Sequence, residues 1–202
     1  PLRRQRQMCI RDSVEAGYAY EVIKNFSVSA TFKYLFSDMG RIGNSRGASS
    51  VAFDLGVLYK CGINDWEGAG WSVGLHVSNL GPKINYLTSK DALPATVKVG
   101  GAADLPFLQM HKLTLTADLG YRLSPADVQA LSVSAGAEYA WRELVMLRGG
   151  YHCGDKKKGD ASYATAGAGV EYAGVRLDFA WLFAGHEYLA RNTFWVSLGY
   201  SF

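Results

Sequence analysis

Apolar residues alternate with small or polar ones along most of this chain, and the final segment shows the pattern most clearly. From Asn192 to Phe202, the residues Phe194, Val196, Leu198, Tyr200 and Phe202 share one parity. Thr193, Ser197, Gly199 and Ser201 take the other, with Trp195 the exception. A two-residue period puts the two sets on opposite faces of a strand. The same alternation, broken by turn residues, predicts eleven strands: 14–24, 26–36, 49–60, 70–80, 94–104, 110–122, 130–140, 143–152, 162–172, 174–184 and 192–202. Ten or eleven residues at roughly 3.3 Å each, tilted by about 40°, span roughly 25 Å, the height of a lipid-facing band. Strands of ordinary globular proteins are about half as long.

The middle of the chain sorts cleanly into two faces. Val51, Phe53, Leu55, Val57 and Tyr59 oppose Ala52, Asp54, Gly56 and Lys60; Trp71, Val73, Leu75 and Val77 oppose Ser72, Gly74, His76 and Ser78. Leu113, Leu115, Ala117, Leu119 and Tyr121 oppose Lys112, Thr114, Thr116, Asp118, Gly120 and Arg122, and Val175, Leu177, Phe179, Trp181 and Phe183 oppose Arg176, Asp178 and Ala180. In 26–36 the outward set is Val28, Ala30, Phe32, Tyr34 and Phe36. Trp and Tyr at the ends of apolar faces fit aromatic belts at a membrane boundary. Connections near 25 and at 61–69, 105–109, 141–142 and 173 are assigned to the periplasmic end. Those at 37–48, 81–93, 123–129, 153–161 and 185–191 are assigned to the outer end. The second set is longer on average, as outer-membrane barrels prefer, with 61–69 the exception.

Composition agrees with a barrel without deciding for one. The 202 residues include 23 Gly, 12 Tyr, 9 Phe, 5 Trp and 5 Pro at 49% hydrophobic content, yet no run reaches the roughly 18 apolar residues of a spanning helix. The net charge of +3 equals that of residues 1–13, where Arg3, Arg4, Arg6 and Arg11 stand against Asp12. The remainder is neutral, and no nucleic-acid partner is expected. This head lacks both strand alternation and a signal-peptide core, so 1–13 is expected to be a non-native head and 14–202 part of one barrel. Cys9, Cys61 and Cys153 have no metal-type spacing, and no metal or other cofactor is expected. Eleven strands are odd, whereas bacterial single-chain barrels close on even numbers, so about 11 of an expected 14 strands are present.

Several runs resemble the PorV/PorQ family of Bacteroidota outer-membrane barrels, related in fold to the FadL fatty-acid transporters. They are Ser50 to Lys60 (SVAFDLGVLYK), Gly74 to Tyr86 (GLHVSNLGPKINY), Leu93 to Gly101 (LPATVKVGG), Ala135 to Tyr139 (AGAEY), Leu147 to Tyr151 (LRGGY), Lys158 to Tyr172 (KGDASYATAGAGVEY) and Leu177 to Leu182 (LDFAWL). The resemblance implies an all-β, antiparallel transmembrane β-barrel in the cell outer membrane, non-enzymatic, serving the type IX secretion system. Such a protein receives secreted cargo by its C-terminal signal domain and passes it to the surface attachment machinery. Its partners would be the translocon, cargo and outer-membrane lipid with lipopolysaccharide. The alternative is a FadL-like channel for small hydrophobic compounds.

Candidate chemistry is sparse. His76, His111, His152 and His186 lie on four separate strands or turns and no G-x-S-x-G elbow is present, so no catalytic residue is assigned. Gly167 and Gly169 sit in mid-strand with no following helix, which fails the phosphate-loop context and fits small lumen-facing residues. Lys33, Asp54, Lys98, Lys112, Asp118, Glu138, Arg148, Glu171, Arg176 and Asp178 face the lumen with both signs, as cross-strand pairing requires. Lys156, Lys157 and Lys158 form a candidate partner-contact loop tip. Tyr200 and Phe202 are the candidate membrane-insertion signal, although Ser197 stands where such a signal usually carries Gly.

Overall fold

Eleven antiparallel strands follow one another in a single meander. They are β1 (Ile10–Ile23), β2 (Phe26–Asp38), β3 (Ala48–Gly62), β4 (Gly70–Leu80), β7 (Thr96–Phe107), β8 (His111–Arg122), β9 (Leu131–Trp141), β10 (Val145–Cys153), β11 (Tyr163–Tyr172), β12 (Val175–Ala184) and β13 (Thr193–Tyr200). A small ribbon, β5 (Ile84–Asn85) with β6 (Lys90–Asp91), lies inside the β4–β7 connection. The computed structural model describes residues 10–38, 48–63, 66–85, 90–108, 110–185 and 192–201. Strands β1 and β13 are the two edges, and the sheet is not closed on itself.

Burial is inverted relative to a water-soluble sheet. The buried apolar residues among those described are Ala52, Ala69, Leu93, Ala130, Ala140, Met146 and Leu182, mostly small, and no large side chain is fully buried. The predicted outward set is instead open: Leu55 is 52% exposed, Leu177 50% and Leu198 77%. Among the described residues the other sheet is the two-residue ribbon of β5 and β6, too small to cover either face, which removes the sandwich alternative, since a sandwich hides one apolar face in a dry interior. Outward aromatics cluster across strands, as with Phe179, Trp181 and Phe194, whose rings lie 6.2 Å apart. Trp195 pairs with Ala180 and so does face inward.

The register departs from the alternation in a few places, each with a local cause. Strand β1 begins at Ile10, inside the head set aside above, and pairs with β2 from Ile10↔Asp38 onward. Strand β7 runs on to Phe107 through Pro106. Its neighbour β4 begins at Gly70, opposite Asp104, so the missing proline N–H costs no ladder bond on that side. Strand β10 begins at Val145 because Arg142 and Glu143 sit at φ 53° and 56° in a tight turn. The connections split as expected: two to seven residues at one end and eight to fifteen at the other.

Candidate functional site

The most enclosed part of the inward face lies where β4 leaves the sheet. Phe53 pairs with Leu80 and Leu55 with Val77, so Asp54 stands opposite both Ser78 and Asn79 in a bulge. Asn79 sits at φ 58°, a left-handed conformation that asparagine tolerates better than most residues. Its backbone N–H donates to Asp54 Oδ1 at 2.8 Å, and Lys33 Nζ on β2 lies 2.6 Å from Asp54 Oδ2. The Lys33 and Asp54 side chains are 17% and 8% exposed, and Glu15 is a more distant partner at 3.9 Å.

The chain then folds back over β3. A Cβ on Gly81 would stand 2.2 Å from the Val51 carbonyl oxygen and 3.2 Å from the Ala52 Cα, so only glycine allows this approach. Ser50 Oγ donates to the Pro82 carbonyl at 3.3 Å, and Asn79 Nδ2 donates to the Pro94 carbonyl at 3.2 Å. Leu93 is buried, as are Ser50, Ala52 and Asp54 on the inward side of β3.

A second polar region crosses β9 to β12. Arg148 Nε donates to Glu138 Oε2, and its Nη1 reaches Asp178 Oδ1 at 2.5 Å. Arg176 Nε holds Asp178 Oδ2 at 2.7 Å, and Arg176 Nη1 lies 3.8 Å from Glu171 Oε2. Arg148 is on β10 and Asp178 on β12, so their bond spans β11. Glycine makes this crossing possible: a Cβ on Gly169 would come within 2.5 Å of Asp178 Oδ1. Lys112 also pairs, with Asp104 at 3.2 Å, an acid at the last position of the predicted strand 94–104. Lys98 and Asp118 make no ion pair among the described residues. They line a concavity of about 660 Å³ with Ser29, Gly56, His76 and Gly100.

The histidines divide. Ser134 Oγ lies 2.9 Å from His152 Nδ1, and His152 Nε2 lies 3.1 Å from Asp160 Oδ1. Strand alternation could not bring these three together, because Asp160 sits in a loop whose path no periodicity reveals. The residues around Ser134 are paired with both β8 and β10, so their N–H groups are spent in the ladder rather than aimed at an oxyanion. The cluster ties the 154–162 loop to the sheet. His111 faces outward at the short-turn end, its Nδ1 2.6 Å from Tyr139 Oη and its ring stacked on Phe107. His186 lies outside the described residues.

The loop lysines are not equivalent. Lys156 is exposed, the Lys157 side chain lies outside the described residues, and Lys158 Nζ donates to the Gln129 carbonyl of the neighbouring loop. Arg122 Nη1 donates to the Lys158 carbonyl at 3.4 Å, so these two loops brace each other. Tyr200 pairs with Val175 on the exposed outward face, and Phe202 lies outside the described residues.

A family profile described as "Type IX secretion system protein PorV" matches residues 7–129, more than half of the chain. No curated protein matches the sequence.

Proposed function

The chain belongs to the PorV family of type IX secretion system proteins, and we propose that it works there as an outer-membrane barrel subunit that receives secreted cargo and hands it to the surface attachment machinery. The observation that carries this reading is the inside-out sheet, with its large apolar residues exposed and its charges gathered on the other face. An exposed apolar band of this kind suits acyl chains rather than water. The longer connections form the outer end in this reading, and the braced loops bearing Lys156, Lys157 and Lys158 meet translocon, cargo or lipopolysaccharide phosphates there. Tyr200 and Phe202 serve assembly into the membrane.

The test is genetic and biochemical. In cells lacking the chain, proteins bearing the C-terminal signal domain should accumulate in the periplasm, and a tagged copy should restore secretion and cross-link to cargo. Unchanged secretion in the deletion strain, with the chain absent from the outer-membrane fraction of wild-type cells, would overturn the proposal.

A further inference from the structure

We propose that Arg142 and the furrow beside it along β9 bind one glycerophospholipid, with the phosphate on the guanidinium and an acyl chain in the furrow. Arg142 lies in the turn between β9 and β10, where its own N–H donates to the Met110 carbonyl of the adjacent turn at 2.6 Å. Its Cζ is 5.4 Å from the centre of the Trp141 ring, and its Nε is 3.0 Å from Met110 Sδ. A thioether sulfur is a weak acceptor. Arg122, Arg148 and Arg176 each reach an oxygen with their side chains. Among the described residues the Arg142 side chain reaches none, and it makes no ion pair with Glu143 beside it. A guanidinium set on an aromatic face with both Nη groups uncommitted matches a phosphate, which it binds through two parallel N–H···O bonds.

The surroundings select a lipid phosphate over a dissolved one. Trp141 belongs to the outward set of β9, followed along the strand by Tyr139, Ala137 and Ala135. His111 stands directly opposite Trp141 and stacks on Phe107. These rings form a belt at the short-turn end, as aromatic side chains do where a membrane protein meets headgroups. Beyond the belt the surface sinks. Ala137 lies between Leu115 and Gly149, and Ala135 between Ala117 and Tyr151. Ala135, Ala137 and Gly149 are exposed, and a Cβ on Gly149 would meet nothing within 4 Å. Leu147 and Tyr151, 54% and 56% exposed, stand on either side of Gly149 and wall the furrow along β10. Cation, ring belt and furrow thus follow one another along a single strand, in the order of phosphate, glycerol and acyl chain. The longer connections carry the lysines that meet lipopolysaccharide in the reading above, so the short-turn end takes the glycerophospholipid of the opposite leaflet.

Native mass spectrometry of the refolded full chain in detergent tests this with dioleoylphosphatidylglycerol as the probe. Dioleoylglycerol, with the same chains and no phosphate, is the control. One phosphatidylglycerol should be retained, about tenfold more tightly than the diacylglycerol. Arg142→Asn removes the charge with a residue that tolerates the φ of 53° at this position. It should weaken phosphatidylglycerol about tenfold, and Arg142→Lys should recover part of that loss. Gly149→Val should weaken both lipids about threefold by filling the furrow, and this arm stands even where Arg142→Asn does not refold. Equal retention of the two lipids, or retention that Arg142→Asn leaves intact, would overturn the proposal. So would a preference for lipid A, whose phosphates belong to the outer leaflet. The inference rests on the outward face meeting lipid, as proposed above, but retention is read without cargo, so it and the secretion reading can fail separately.

Discussion

Two regions of the inward face use the same chemistry in opposite ways. Near β2 to β4, one acid and one base are almost withdrawn from solvent, with side chains 8% and 17% exposed. Across β9 to β12, five charged groups form an open ladder in which Glu138 and Arg176 are 37% and 44% exposed. Coulomb attraction is stronger in the enclosed pair, yet so is the cost of leaving either member alone. In the ladder, water screens each bond, and no single contact dominates. The first arrangement fixes one segment in one place. The second sets the local charge balance of a wet wall and tolerates the loss of a member.

The two faces of β12 give the largest expected effect. Leu177→Arg, on the outward face, should cost about 2–4 kcal/mol in vesicle refolding if it sits near the bilayer midplane, although the very next residue, Asp178, carries a charge comfortably on the other face. Refolding at native stability would reject the outward assignment. Asp54→Ala should follow, at about 2–3 kcal/mol by urea unfolding in vesicles, because Lys33 is left nearly buried with only the more distant Glu15 and the Asn79 N–H without its acceptor. An effect under about 0.5 kcal/mol would place this pair with the surface ones.

Gly169→Val should come third, at about 1–2 kcal/mol, since its Cβ would displace the Asp178 carboxylate and part Arg148 from it. The same change at Gly149, where an added Cβ meets nothing within 4 Å, should be close to neutral, and equal losses at the two sites would remove the crossing argument. Smallest is Glu138→Gln, about 0.5–1 kcal/mol, because Arg148 keeps Asp178. A loss as large as that of Asp54→Ala would erase the distinction between the two regions.

The alternation carried most of the fold because a strand in lipid obeys one rule at every second position. All eleven main-sheet strands were legible for that reason, as were the opposed sets on β3, β4, β8 and β12. The boundaries shifted where the rule has no say: Pro106 continues β7 because β4 has not yet begun opposite it, and Arg142 and Glu143 delay β10 because turn geometry claims them. The inward charges were legible as a set, but their pairing was not. Arg148 meets Asp178 by reaching over a glycine on the intervening strand, and the Ser78–Asn79 bulge breaks the two-residue count that would have aligned Asp54. The connection after β4 was the least legible, because the close approach of Gly81 and Pro82 to β3 is one that no periodicity encodes.

The short-turn end has its own consequence. There the backbone of Lys60 donates to Asn25, Arg142 to Met110, Glu171 to Leu144 and Ser201 to Gly174, each reaching the carbonyl of an adjacent turn at 2.6 to 2.9 Å. Neighbouring hairpins are thus stitched into a hem, and main-chain groups that an incoming peptide would seek as partners are already engaged. A visitor approaching from that side finds these groups taken, so recognition by strand addition is better served by the lateral margins of the sheet.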